Sequence, residues 1–235
     1  MNNKLFLLGT GCISARAGYI ESFLLLGAAL VGAFFLHMMF LFLICAFIIV
    51  TAYLYNFAPF AFKNRPLWGL AATMVMGWLA FALGWVMCQP ATPRLLSHSM
   101  PYLFFNTALY LLTTMPDMKG DRTSGKLTFP LKYGVKSTAL LSLFFFILTP
   151  VAGMWHKNEF MLVVCAVTAP FMIRFARKRD TASAIVAIKS GIASFALLIC
   201  VKFPLFFVLL ACLFFFTRFY YKRRFDYDYP NFRGQ

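Results

Sequence analysis

The sequence predicts an all-α protein, a bundle of about eight transmembrane helices, and three observations support this fold class. First, 62% of the 235 residues are hydrophobic and 12% are charged, which is more apolar surface than a water-soluble domain of this size can bury. Second, the apolar runs are long enough to cross about 30 Å of hydrocarbon, for which a helix needs about 20 residues. Third, the runs lack the alternation of barrel strands, which leaves helices as the spanning structure.

The candidate spans follow one another with short connections, and each is an apolar stretch of nearly membrane length. The seventh contains Lys189, about two turns into its helix, where the side chain is expected to reach back to the cytoplasmic interface. We therefore expect residues 1–235 to form one integral membrane domain that ends in a short basic and aromatic tail, 222–235. In chain order, the spans cover residues 18–36, 38–58, 67–88, 99–116, 135–156, 159–176, 181–201 and 203–221.

The basic residues fall on alternate sides of these spans, as the enrichment of Lys and Arg in cytoplasmic loops requires. With a cytoplasmic N-terminus, eighteen of the 22 bases lie in cytoplasmic segments, whereas Arg94, Lys157 and Lys202 lie outside. The net charge of +15 then follows from membrane topology and from attraction to anionic lipid head groups. It indicates no nucleic-acid partner.

Histidine and cysteine do not form a metal-binding pattern in the sequence. His37, His98 and His156 occur singly at the outer ends of predicted spans, where an ordinary interfacial role is expected. The six cysteines include no Cys-x-x-Cys pair and read as small buried apolar residues, so neither a zinc site nor a disulfide framework is predicted.

The stretch from Thr113 to Pro130, TTMPDMKGDRTSGKLTFP, contains two of the seven acidic residues. Asp117 and Asp121 are four residues apart, so on a helix their carboxylates share one face, about 5–6 Å apart at Cβ, and suit a hard divalent cation. In the alternative interpretation, the stretch is a solvated loop whose acids balance Lys119 and Arg122.

Polar residues at helical spacing lead along the fourth span toward Asp117. Because polar groups within a membrane span avoid lipid, this stripe is expected to line a cavity inside the bundle. The stripe and the nearby Gly120 and Gly125 favour a binding site over a solvated loop. The residues of the stripe are Asn106, Tyr110, Thr113 and Thr114.

The segment DMKGDRTSGKLTFP resembles the second aspartate-rich motif of the UbiA-type intramembrane prenyltransferases, Asp-x-x-x-Asp followed by Gly and Thr-x-Pro. The family's first motif, Asn-x-x-x-Asp-x-x-x-Asp before Arg-Pro, corresponds to YNFAPFAFKNRP. Asn56 and Arg65-Pro66 match it, but its two acids are replaced by Phe60 and Asn64. The chain is also shorter, with two spans between the motifs where the family has four.

The resemblance implies a UbiA-like fold and transfer of a prenyl chain from an isoprenoid diphosphate to a lipid or aromatic acceptor. It implies Mg²⁺ as cofactor, with Asp117 and Asp121 as catalytic metal ligands and Asn56 and Asn64 as supporting ligands. The diphosphate is expected to contact the bases near the motifs, which are Lys63, Arg65, Lys119, Arg122 and Lys126.

The loss of the acids at Phe60 and Asn64 leaves a second interpretation open. A site with one metal and fixed basic side chains would still support catalysis, because lysine and arginine also neutralise phosphate. Alternatively, the chain is a degenerate relative that acts as a structural or lipid-binding subunit beside partner membrane proteins. A transporter, suggested by Lys189 alone, is disfavoured because the sequence shows no inverted repeat.

The charge pattern makes the topology testable. Both termini should lie in the cytoplasm, because eighteen bases fall on that side when eight spans alternate. Reporter fusions at residues 1 and 235 should therefore both report a cytoplasmic location. Termini on opposite faces would remove one span and contradict the predicted topology.

Overall fold

The computed structural model describes residue 11 and residues 13–229, and the regular secondary structure of this part of the chain is helical throughout. The predicted all-α class is therefore confirmed. Lys4, Arg233 and the last residues of the predicted tail lie outside the described part. The helices are α1 (Ala15–Leu36), α2 (Met38–Ile48), α3 (Pro66–Cys88), α4 (Arg94–Thr113), α5 (Met118–Thr123), α6 (Phe129–Trp155), α7 (Glu159–Lys178), α8 (Thr181–Lys202) and α9 (Pro204–Phe225).

Six helices of the described chain are long and apolar enough to cross a membrane, namely α1, α3, α6, α7, α8 and α9. The other two predicted spans also form helices. The second is α2 with its extension, Met38–Leu54, which is shorter and apolar. The fourth is α4, whose first turn carries Arg94, Ser97 and His98 and lowers its hydropathy. The protein is thus a helical integral membrane protein, and eight is an approximate span number.

Side chains and prolines fix where several helices begin. The Ser14 hydroxyl accepts a hydrogen bond from the Ala17 N–H at the start of α1, and Asn158 Oδ1 accepts from Met161 N–H at the start of α7. Pro66 and Pro204 occupy the first turns of α3 and α9, where no intrahelical donor is lost. These residues place the connections close to their predicted positions.

Asp180 begins α8 in the same way. Its carboxylate accepts hydrogen bonds from the Ser183 hydroxyl and from the Ser183 backbone N–H, the latter at 2.7 Å. These two donors hold the pKa of Asp180 below its ordinary value, because they stabilise the charged form. The turn between α7 and α8 is therefore closed by an ionised side chain.

Two helices differ in extent from the predicted spans. Gly134 interrupts α6 with a positive φ of 84°, which separates the turn around Phe129 from the long helix that follows. The predicted span beginning at residue 135 corresponds to this second part. α9 continues to Phe225, so residues 222–225 of the predicted tail are helical.

The described residues divide into two compact units, of which one ends at Gly191 and the other begins at Ile192. In the first unit, α4 packs between α3 and α6, α2 packs against α1 and α3, and α7 packs against α6. In the second unit, α9 buries none of its residues. The expectation of one membrane domain stays a prediction.

Small side chains bring α4 and α6 together. Ala108 and Ala139 are fully buried, and the Ser142 hydroxyl donates a 2.8 Å hydrogen bond to the Ala108 carbonyl. Lipid supplies no hydrophobic force between helices, so close packing and polar contacts of this kind hold them. This contact fixes α4, whose last turn leads directly into the second motif.

Candidate functional site

The first motif begins where α2 widens into a π-helical segment, Ile49–Leu54. Asn56 follows this segment, and its Nδ2 donates a 2.8 Å hydrogen bond to the Thr51 carbonyl. Its Oδ1 accepts a 3.2 Å hydrogen bond from Lys63 Nζ. Segments of π-helix often occur at functional sites. Here the segment and Lys63 together hold the Asn56 amide in one orientation.

The loop after Asn56 is closed by hydrogen bonds to its backbone. Arg65 Nη2 donates to the Pro59 carbonyl at 3.0 Å, and the 3₁₀ turn Phe62–Asn64 ends immediately before α3. The Arg65 guanidinium thus stabilises the loop, although its side chain is still exposed. Asn64 is also exposed and makes no side-chain hydrogen bond with the described residues.

Phe60, which replaces the first acid of the motif, lies in an aromatic cluster. Its ring centroid is 6.0 Å from that of Tyr53 and 5.9 Å from that of Phe62, and both contacts are edge-to-face. Phe62 in turn stacks on Trp68 of α3 at 5.3 Å. The Phe60 side chain therefore stabilises the loop by aromatic packing.

The second motif places its two acids one helical turn apart. The Asp121 N–H donates a 2.8 Å hydrogen bond to the Asp117 carbonyl, so both lie on one face of the turn that begins α5. Asp117 is exposed, whereas the Asp121 side chain is 13% exposed. Lys126 Nζ lies 3.4 Å from Asp121 Oδ1. Asp121 therefore enters the site already paired with a cation.

The polar stripe divides between two environments. Asn106 and Tyr110 lie against glycines of α3, because a Cβ at Gly77 would stand 2.7 Å from Asn106 Nδ2 and one at Gly69 would stand 3.5 Å from the Tyr110 hydroxyl. The hydroxyls of the last two residues of the stripe donate hydrogen bonds to the backbone three residues earlier. Thr113 donates to the Tyr110 carbonyl, and Thr114 donates to the Leu111 carbonyl. The Asn106 and Tyr110 side chains therefore lie toward α3.

Tyr55 connects the two motifs, and sequence reasoning missed it. Its phenol group lies next to that of Tyr110 and within electrostatic range of the Asp121 carboxylate. Because Tyr55 precedes Asn56 and Asp121 belongs to the second motif, both motifs meet at one end of α2, α4 and α5. Its only distinguishing feature in the sequence is its position next to Asn56.

Thr128, of the Thr-x-Pro sequence, contributes a buried hydroxyl that has no partner among the described residues. A buried hydroxyl without a hydrogen bond costs about 1–3 kcal/mol, so such a group marks a place where a ligand would be stabilising. Lys119 and Arg122 are exposed, and no ion pair involves them in this part of the chain.

The donor set suits the metal that the resemblance implies. Across the described residues, no group of three or more His, Cys, Asp or Glu side chains converges on one point. Mg²⁺ does not require such a cage, because proteins usually bind it through one or two carboxylates together with substrate phosphates. Asp117 and Asp121, which lie one helical turn apart, fit that type of site.

The close approach of α3 to the first motif can be tested by measuring the stability of variants. A Cβ on Gly69 would lie 3.0 Å from the Phe62 carbonyl, whereas a Cβ on Gly84 would meet nothing within 4 Å. Gly69→Val should therefore lower the free energy of unfolding by about 1–3 kcal/mol relative to Gly84→Val, through overpacking. Denaturation of both variants in detergent measures this difference, and equal stabilities would contradict the described contact.

Comparison with known proteins connects these features. The model of the UbiA prenyltransferase family matches residues 3–186, a range that includes both motifs and ends near the boundary of the first compact unit. Comparisons with curated proteins and with solved structures gave no match. Because the family model covers most of the chain, the protein belongs to the UbiA prenyltransferase family.

Proposed function

We propose that this protein transfers a prenyl chain from an isoprenoid diphosphate to a lipid or aromatic acceptor within the membrane. In this reaction the bond between the prenyl carbon and the diphosphate oxygen breaks, and its electron pair leaves on the diphosphate. The acceptor then forms a bond to that carbon and loses a proton. Catalysis requires that the charge of the leaving diphosphate be stabilised.

One observation carries the proposal: in each motif, a lysine ammonium group contacts a polar side chain of the same motif. Lys63 Nζ lies 3.2 Å from Asn56 Oδ1, and Lys126 Nζ lies 3.4 Å from Asp121 Oδ1. Fixed ammonium groups at both motifs would neutralise part of a diphosphate's charge without moving far. Arg65 beside Lys63, and Lys119 and Arg122 beside Asp121, would supply further charge-assisted contacts.

Asp117 and Asp121 would hold Mg²⁺, with Asn56 and Asn64 as additional oxygen ligands. When bound, the ion would supply Lewis-acid stabilisation of the departing phosphate oxygens. The chain's own residues do the positioning. The Thr128 hydroxyl would gain its missing partner by donating to a phosphate oxygen, and Tyr55 would lie near the Asp121 carboxylate.

A second candidate function follows from the first motif. Phe60 contributes to an aromatic cluster instead of a metal site, and Asn64 carries no charge. A protein with this loop would retain a lipid-binding bundle without turnover and act as a subunit of a membrane assembly. Measurement of transfer by the wild-type protein distinguishes the two functions.

The acids of the second motif can be tested by binding. Asp117→Asn combined with Asp121→Asn should abolish Mg²⁺-dependent binding of an isoprenoid diphosphate, because neither motif contains any other carboxylate. Glu159→Gln, at the first residue of α7, is the matched control and should bind as the wild type does. Unchanged Mg²⁺-dependent affinity in a folded double variant would make the two acids ordinary loop charges.

The first motif can be tested by turnover. Phe60→Asp with Asn64→Asp would restore two carboxylates to the motif, and we expect prenyl transfer to rise if missing metal ligands limit it. Arg65→Ala should lower wild-type transfer about tenfold or more, because a charge-assisted contact to phosphate is lost. The assay compares wild type and both variants in lipid with several donors and acceptors. Absence of transfer in all three would support the subunit function.

A further inference from the structure

We propose that His98 and His156 bind one divalent transition-metal ion at the end of the bundle away from the two motifs. His98 is the fifth residue of α4, and His156 follows the last residue of α6. Both helices have their other ends at the second motif. The two histidines were expected to occur singly, but the fold brings their ring centroids to 4.9 Å.

This separation is the one that two imidazoles adopt around a shared ion. With metal–nitrogen bonds of about 2.0–2.1 Å, two rings at tetrahedral or right-angle positions have centroids roughly 4.5–5.2 Å apart. The observed distance of 4.9 Å lies within this range, and the ring planes are inclined by 37°. An ion shared by the two rings would bind one nitrogen of each.

His98 is held in the form that a metal ligand needs. Its Nδ1 lies 2.9 Å from the Arg94 carbonyl, which is purely an acceptor, so Nδ1 carries the proton and donates it. Nε2 then keeps a free lone pair. Metal-binding histidines commonly donate their second nitrogen to a backbone carbonyl in this way. The ring also packs against Trp85 at 5.5 Å, and Trp85 Nε1 donates to the Pro90 carbonyl.

His156 is fixed through its backbone, because its N–H donates to the Ala152 carbonyl at the end of α6. Its ring nitrogens make no hydrogen bond with the described residues. No third His, Cys, Asp or Glu joins the pair in this part of the chain, so water would complete the coordination. Two imidazoles with open positions suit Zn²⁺, Ni²⁺ or Cu²⁺, whereas Mg²⁺ prefers oxygen ligands.

The charged groups adjacent to the pair in sequence are Arg94, Lys157 and Glu159, all exposed. Water and salt therefore weaken the repulsion that the two bases exert on a bound cation, and Glu159 opposes it. A bound ion would join the start of α4 to the turn between α6 and α7. It would stabilise the folded protein by binding that state alone.

The experiment uses full-length protein in detergent, free of any affinity tag, with Zn²⁺ or Ni²⁺ as the probe. We expect one ion to bind by isothermal titration calorimetry and to raise the thermal midpoint, while Mg²⁺ at the same concentration does not. His98→Ala and His156→Ala should each weaken binding at least tenfold, and His37→Ala should leave it unchanged.

Absence of binding to the wild type would overturn the proposal directly, even if a variant failed to fold. Equal loss of binding in His37→Ala, or full retention in folded His98→Ala and His156→Ala, would also overturn it. The Co²⁺ complex gives an independent readout, because its visible spectrum should show imidazole nitrogen ligation that both alanine variants lose.

Discussion

Close packing around α4 is the constraint on which the rest of this structure depends. In a membrane, helices gain little from leaving lipid for one another, so their contact depends on small side chains and a few polar bonds. On one side, Gly69 and Gly77 of α3 leave room for the side chains of α4. On the other side, the small Ala108 of α4 and its hydrogen bond from the Ser142 hydroxyl allow close contact with α6. Because α4 ends at the second motif, its position determines where Asp117 and Asp121 stand.

Most of the fold can be predicted from the sequence, because membrane helices are recognised by the length and apolarity of their sequences. The predicted start at residue 135 coincides with the break at Gly134, since a glycine permits the positive φ that separates a surface turn from a spanning helix. The start of α4 was harder to predict. Its polar first turn extends the helix back to Arg94, beyond the apolar residues that marked the predicted span.

The site was less predictable than the fold, for a geometric reason. The spacing of Asp117 and Asp121 is local, so the sequence shows that they share a face. Tyr55 depends on the π-helical segment before it, which shifts the phase of the following residues relative to a 3.6-residue repeat. The pairing of His98 with His156 depends on the packing of α4 beside α6. Neither relation can be derived from spacing along one chain segment.

The Lys126–Asp121 pair has a consequence for how cations reach the second motif. A metal ion that bound the Asp121 carboxylate would compete with the Lys126 ammonium group, which lies 3.4 Å away on a side chain that is 41% exposed. In the proposed function, a weaker ion pair would raise the affinity of the site for Mg²⁺, and a diphosphate that attracted Lys126 would free an Asp121 oxygen for the metal.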